Sequence, residues 1–331
     1  MALSRAMEWI AECTSNHKFC GDDSPKLLPT RVLDLSTDEA GRHARIVMGG
    51  GEMSRYGTLS HCWGQRGNHR ILTKATLKSW LKPFGITELP QTYQDAIMVT
   101  KRLGLRYLWV DSLCILQDVE EDWKRESSKM AEIYQNSYIT VAATCAADSS
   151  AGIFLTARLI YNPKAIQYAG NGIEMQLYAH ACLSHRTYDP VDRSHNSFYR
   201  WNLQDPVDFP LLSRAWVYQE RLLSPRILHF LREELVFECC ESQSETRSPL
   251  YPPIWNTRWY NIVGEYTKLK MSFEKDKLTA LSGVASQMQG SRHDLYLAGL
   301  WKSTYLRDLA WRTDIARLRE RPKTWRARSW S

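Results

Sequence analysis

Residues 56–144 alternate short apolar runs with amphipathic stretches, and this alternation restricts the possible folds more than any other feature of the chain. "YGTLSHC", 56–62, reads as a strand. In "LPQTYQDAIMVTKRLGLRYLWVD", Pro90 suits a helix entry, and Tyr93, Ala96, Ile97, Thr100 and Leu103 recur at helical spacing. Gly104 then fits the helix C-terminal cap, and "RYLWVD" reads as a short buried strand. "EEDWKRESSKMAEIYQ" is a second helix, whose acidic first turn is favourable at the positive end of the helix dipole. "SYITVAAT", 137–144, closes the block as a third strand. Strands separated by helical crossovers predict an α/β fold with a doubly wound, mainly parallel sheet.

The texture changes beyond residue 150. Residues 157–212 mix Gly, Asn, Asp and Pro with alternating runs such as "GIEMQLYAHACL", which predict a β-rich insertion of antiparallel strands and loops. "LLSRAWVYQERLLSPRILHF" reads as a helix ending near Pro225 and then a strand; "EELVFECC" reads as another strand, and 258–318 as mostly helical. The expected organisation is an N-terminal extension over 1–50, a principal domain over 51–240 with its core at 56–155 and a second block at 213–240, and a mainly helical elaboration over 241–331.

Composition narrows the function classes. With 331 residues and 44% hydrophobic content, the chain can bury a substantial core. The formal charge is +7, but residues 301–331 hold nine Lys or Arg against Asp308, Asp314 and Glu320, so that segment supplies +6 of it. The remainder is nearly neutral and lacks the basic, aromatic-interleaved face that nucleic-acid binding needs. No apolar run reaches 18 residues and the N-terminus has polar breaks, so neither a membrane span nor a signal peptide is expected, and the reading is cytoplasmic. Eight scattered cysteines suit buried thiols in a reducing compartment. No Gly-Lys-Ser/Thr phosphate loop is present.

Several residues are candidates for chemistry. Ser60, His61 and Cys62 stand in a row, yet consecutive strand residues face opposite sides of a sheet, so His61 and Cys62 cannot pair with one another unless the strand has already ended. A pairing of His61 with Cys114 from a neighbouring strand end is the remaining nucleophile–base option, against buried inert thiols. Cys13, His17 and Cys20 have metal-ligand side chains, and Cys239–Cys240 would complete a set. Their C-x3-H-x2-C spacing has no matching second knuckle, so no metal is expected.

Ligands of open parallel sheets bind beyond the carboxyl ends of the strands, which here are Ser60–Gly64 and Asp111–Gln117. Gly64 would admit a ligand close to the backbone, and Asp111, Ser112 and Gln117 would bind sugar hydroxyls. The alternative is that these groups only tie the rim loops together. Glu126 lies on the apolar stripe of Trp123, Met130, Ile133 and Tyr134, and a carboxylate facing inward must be paired or serve chemistry. Its partner would be an inward arginine such as Arg214 or Arg221, with Glu220 in the same structural set; otherwise Glu126 is catalytic.

"YGTLSHCWG", "LPQTYQDAIMVTKRLGLRYLWVDSLCILQD", "EDWKRESSKMAEIYQNSYITVAA" and "SRAWVYQERLLSPRILHF" together resemble, in order and spacing, the heterokaryon-incompatibility (HET) domain of filamentous fungi. The resemblance is dense over 56–155, resumes at 213–240, and recurs in "DKLTALSGVA" and "AGLWKSTYLRDLAW". The chain stops inside "TWRARSWS", where members of that family usually continue, so the C-terminus is expected to be truncated. Membership implies an effector of fungal non-self recognition and programmed cell death, with self-association or other incompatibility proteins as partners. It also implies a distant similarity to TIR domains and so a TIR- or flavodoxin-like sheet. Some TIR domains hydrolyse NAD with a helical glutamate, and Trp123-x-x-Glu126 resembles their Trp-Cys-x-x-Glu element with one residue fewer. The resemblance thus makes NAD a candidate substrate and Glu126 the candidate catalytic residue, with Ser60, Trp63 and Asp111 lining the cleft and Trp63 stacking on a planar ring; it names no resident cofactor. The competing expectations are a non-enzymatic signalling module and a relative recruited to secondary metabolism.

Overall fold

A computed structural model describes residues 2–36, 40–64, 70–156, 164–170, 173–179, 209–241, 252–271 and 276–309. Eight strands form its main sheet: β1 (Arg31–Asp34), β2 (His43–Met48), β3 (Tyr56–Ser60), β4 (Phe84–Gly85), β5 (Tyr107–Trp109), β6 (Ile139–Ala142), β7 (Arg226–Phe230) and β8 (Leu235–Cys239). Their spatial order is β8-β7-β6-β3-β5-β1-β2-β4. The four inner strands β7, β6, β3 and β5 are parallel, while β8, β1, β2 and β4 add antiparallel pairings at the two sides.

The sheet is therefore mixed, and the mainly parallel, flavodoxin-like sheet expected from residues 56–144 is not what forms as a whole. The reason lies in the connections. A parallel neighbour needs a crossover of a dozen or more residues, whereas the short links between β1 and β2 and between β7 and β8 permit only antiparallel hairpins. The N-terminal boundary also changes: β1 and β2 precede residue 51 and are integral strands, so residues 1–50 are not merely an extension.

Strand alternation sorts side chains between two cores. Leu33, Leu59, Leu108 and Val141 face one core, which is closed by α1 (Ala2–Asn16), α2 (Lys74–Trp80) and α3 (Gln91–Arg102). Val32, Tyr56, Tyr107 and Trp109 face the other, covered by α5 (Glu120–Gln135), α6 (Ala215–Leu223), α7 (Pro252–Tyr266) and α8 (Lys277–Arg292), with the four-residue α4 (Asp111–Cys114) following β5. Helix α3 connects β3 to β5 on one face, and α5 connects β5 to β6 on the other. Since β5 and β6 flank β3 on opposite sides, the strand order reverses there. The helix boundaries follow the local signals: Pro90 is the N-cap residue of α3, and Gly104 follows it at φ 74°, a left-handed position that glycine occupies without strain.

The expected β-rich insertion contributes an antiparallel hairpin, Lys164–Gly170 with Ile173–Ala179, separate from the main sheet. At the C-terminal side, α7 and α8 match the helical reading, and a small hairpin (Tyr296–Leu297 with Leu300–Trp301) sets Trp301 edge-on against Trp259 at 5.4 Å. "TWRARSWS" lies outside the described residues. No described helix is long and apolar enough to cross a membrane.

A buried charge network joins α6 to the edge strand. Glu238 on β8 accepts from Arg221 Nε at 2.8 Å and faces His229 Nε2 at 3.0 Å, and the His229 Nδ1 side meets Thr144 Oγ1 at 3.0 Å. Despite burial, Arg221 and His229 hold the Glu238 carboxyl down at about 2. A depressed carboxylate stabilises the fold above its unfolded pKa and loses that contribution as pH falls from the usual glutamate range towards 2. Glu238→Gln is expected to lower unfolding free energy by about 3 kcal/mol at pH 7, because the buried Arg221–Glu238 charge pair is broken. Urea titrations should show the gap to wild type narrowing as pH falls from 5 towards 2; a constant gap would rule out this ionic origin.

Candidate functional site

The polar groups of the second core converge at the carboxyl ends of β3 and β5, beside the point where the strand order reverses. Open sheets bind ligands at such a crevice. Tyr56, Thr58 and Ser60 share a face by the two-residue period of the strand, and each buried hydroxyl there needs a partner. Tyr56 donates to the Ile133 carbonyl at 2.8 Å; Thr58, Thr140 and Ser224 form a hydroxyl chain with 2.7 Å links; and Ser224 donates to the Glu220 carbonyl at 2.6 Å. Ser60, one step further along β3, donates from Oγ to the Glu220 carboxylate at 2.5 Å. Helix α6 thus brings a carboxylate onto the last residue of a central strand.

Asp111, the first residue of α4, stands beside this pair. Its Oδ2 accepts from Trp63 Nε1 at 3.0 Å and its Oδ1 from the Ser112 amide at 2.7 Å. The His61 ring lies 3.9 Å away through Nδ1 and meets Tyr93 OH at 2.9 Å through Nε2, while Tyr93 OH meets Ser112 Oγ at 2.8 Å. Arg214 donates to the His61 carbonyl at 2.7 Å. Ser60, His61 and Glu220 are buried, whereas Trp63, Asp111 and Arg214 are partly exposed.

Burial sets the electrostatics. It pushes Glu220 up to about 7, helped by the nearby Asp111 charge and opposed by the Ser60 hydrogen bond and Arg214. Burial likewise raises Asp111, against Arg214 and its hydrogen bonds, and drives His61 down to about 3, so His61 is neutral at physiological pH. The result is a carboxyl that exchanges its proton near neutrality beside a second carboxyl, the arrangement suited to general acid–base or cation-stabilising work.

The structure brings together Ser60, Trp63, Asp111, Ser112, Arg214 and Glu220, and sets other expected residues apart. Ser112 and Gln117 tie the rim: Gln117 Nε2 donates to the Asp111 and Ile115 carbonyls at 3.2 and 3.0 Å. Gly64 has φ 90°, and a Cβ there would lie 2.5 Å from Asp148 Cβ, so the close approach it allows is by the loop after β6. Glu126 is 2% exposed, and its Oε1 accepts from Thr30 Oγ1 at 3.1 Å, Arg125 Nε at 3.0 Å and Lys129 Nζ at 3.4 Å. It belongs to a charge network with Asp122 and Arg31 near the start of β1 rather than to the rim. Its partner is neither Arg214 nor Arg221, because those side chains serve the His61 carbonyl and Glu238.

The cysteine options change too. Strand β3 ends at Ser60, and His61 turns to Tyr93 and Asp111, while the Cys114 thiol accepts from its own turn at Val110 and is pushed up to about 12 by burial. No thiolate–imidazole pair forms there. Cys13, His17 and Cys20, read as lacking a second knuckle, meet Cys239 in space. In the sequence Glu220 is legible only as a pairing residue; its signal is the single acidic side chain of "AWVYQERLL".

Glu220 also makes stability depend on pH. Its folded pKa is raised, so the folded state holds more protons than the unfolded state between the usual glutamate range and about 7, and stability falls as pH rises through that window. His61, with a depressed pKa, works in the opposite direction over part of it. Comparing wild type with Glu220→Gln removes the shared His61 contribution. The variant is expected to gain melting temperature relative to wild type as pH goes from 5 to 8; an unchanged difference in thermal melts would contradict the placement of Glu220.

Residues 56–220 match the family described as heterokaryon incompatibility protein (HET). No curated protein and no solved structure gives a match. The matched span runs from the first residue of β3 to Glu220 and so contains every member of the rim cluster. Residues 56–220 thus form a heterokaryon incompatibility (HET) domain, which implies a role in fungal heterokaryon incompatibility.

Proposed function

We propose that this chain is an effector of fungal non-self recognition and cell death that hydrolyses the nicotinamide–ribose bond of NAD, with Glu220 as the working carboxylate in place of Glu126. The observation that carries this reading is the buried Ser60–Glu220 pair at the carboxyl end of β3, where Glu220 is poised at about 7. The C1′–N bond of NAD breaks with its electron pair leaving on the nicotinamide nitrogen, which departs as a neutral base and needs no general acid. A carboxylate stabilises the ribosyl cation and accepts the proton of the water whose oxygen bonds to C1′. Trp63 supplies a ring to stack on, Asp111 an acceptor for ribose hydroxyls, and Arg214 a positive charge for the diphosphate.

A second reading, a non-enzymatic self-association module, has its own observation. In the hairpin, Ile166 stands opposite Leu177 and Tyr168 opposite Met175, and all four side chains are exposed. They make an apolar ribbon face of the kind that association buries.

Nicotinamide release from NAD by concentrated full-length protein distinguishes the two. Wild type is expected to release it, Glu220→Gln to lose at least about 100-fold, and Glu126→Gln to stay within a few-fold. Absence of release from wild type at concentrations where it self-associates would leave the association reading.

A further inference from the structure

Far from the rim cluster in the chain, the N-terminal helix and the edge of the sheet bring four ligand-type side chains into one place. Cys13 lies in the last turn of α1, His17 and Cys20 follow on the segment leaving it, and Cys239 ends β8. One donor atom from each falls within 4.8 Å of all the others. Cys20 Sγ is 3.7 Å and Cys239 Sγ 3.3 Å from His17 Nδ1. A tetrahedral zinc site, with Zn–S about 2.3 Å and Zn–N about 2.0 Å, has S···N edges of about 3.5 Å and S···S edges of about 3.8 Å. Two measured edges already match, and the longest separations need to close by only about 1 Å.

The surroundings fit a metal as well. The three cysteines are 1–2% exposed and none is in a disulfide, while His17 is half-buried. A Cys3His zinc centre carries one net negative charge, which must be offset where it is buried. Arg226, itself 1% exposed, is the cross-strand partner of Cys239 and donates to the Gly21 carbonyl at 2.8 Å, holding the His17–Cys20 segment against the sheet. Its buried Nε has no hydrogen-bond partner among the described residues. Cys240 lies outside these four mutually close donors, although it also contacts Cys20; its thiol donates to the Ser224 carbonyl at 3.7 Å.

The geometry points to a structural zinc site formed by Cys13, His17, Cys20 and Cys239, which staples α1 to the edge strand β8. Four thiolate and imidazole donors select zinc over hard cations, and a full set of four protein ligands leaves no open position for catalysis. The ion would join residues more than 200 positions apart in sequence, so its binding energy would add directly to the stability of the N-terminal packing. This inference is independent of any activity at Glu220.

The test is elemental analysis of the full-length chain purified under reducing conditions without chelator. About one zinc per chain is expected. Cys20→Ser and Cys239→Ser are expected to fall to background, and Cys240→Ser to retain the wild-type content. Replacement by Co(II) should give the intense visible absorption of a tetrahedral ion and a thiolate-to-metal charge-transfer band, a readout that needs no variant. Folded wild type without bound metal would overturn the proposal. So would full zinc content in Cys239→Ser, or a disulfide between any two of the three cysteines detected by mass spectrometry of that protein.

Discussion

Everything around the rim follows from one constraint: β3 is central, fully buried, and carries hydroxyls on one face. Hydrogen-bonded on both sides by β6 and β5, Tyr56–Ser60 has no solvent to satisfy Thr58 or Ser60. Each unpaired buried hydroxyl would cost about 1–3 kcal/mol. The fold answers with a continuous polar seam, Thr58 to Thr140 to Ser224 and Ser60 to Glu220, that fixes where α6 lies on the sheet. The carboxylate at the end of that seam is the most strained member electrostatically, and it stands where the strand order reverses.

The two carboxylates that could be active differ in what surrounds them. Glu126 receives two cationic side chains and a hydroxyl as part of a structural network. Glu220 receives the Ser60 hydroxyl at 2.5 Å, the Tyr134 hydroxyl and the help of Arg214, against burial and Asp111, and no cationic side chain donates a hydrogen bond to it among the described residues, so its carboxyl is still pushed up to about 7. Fully compensated charges serve architecture, whereas an under-compensated one can move a proton near pH 7.

Local signals in the sequence carried much of the fold. Pro90 and Gly104 bracket α3, "EEDWKRESSKMAEIYQ" is the whole of α5, and "RILHF" and "LVFEC" are β7 and β8. The mixed character of the sheet was hidden because β1, β2 and β4 are short and their pairing is non-local. Strands such as Arg31–Asp34, buried on both faces, show no alternation to read. Of the site, Ser60, Trp63 and Asp111 were legible as strand-end residues. The inward stripe position of Glu126 is legible, but its partners are not, because Arg125, Lys129 and Thr30 are a chain neighbour, a residue one turn on and a distant loop.

The amino-acid sequence alone determined the element order through 56–144, the family resemblance and the residue types available for chemistry, because periodicity and capping are local properties. Only the tertiary structure decided which of those residues meet. Ser60 and Glu220 are 160 positions apart, and His17 and Cys239 are 222 apart. Contacts at such separations are set by the packing of α6 and α1 on the sheet, which no short-range pattern encodes. Thus a three-residue cluster that lacks a second knuckle in the sequence meets a fourth ligand-type side chain on the edge strand, and a pairing glutamate becomes the central carboxylate of the rim.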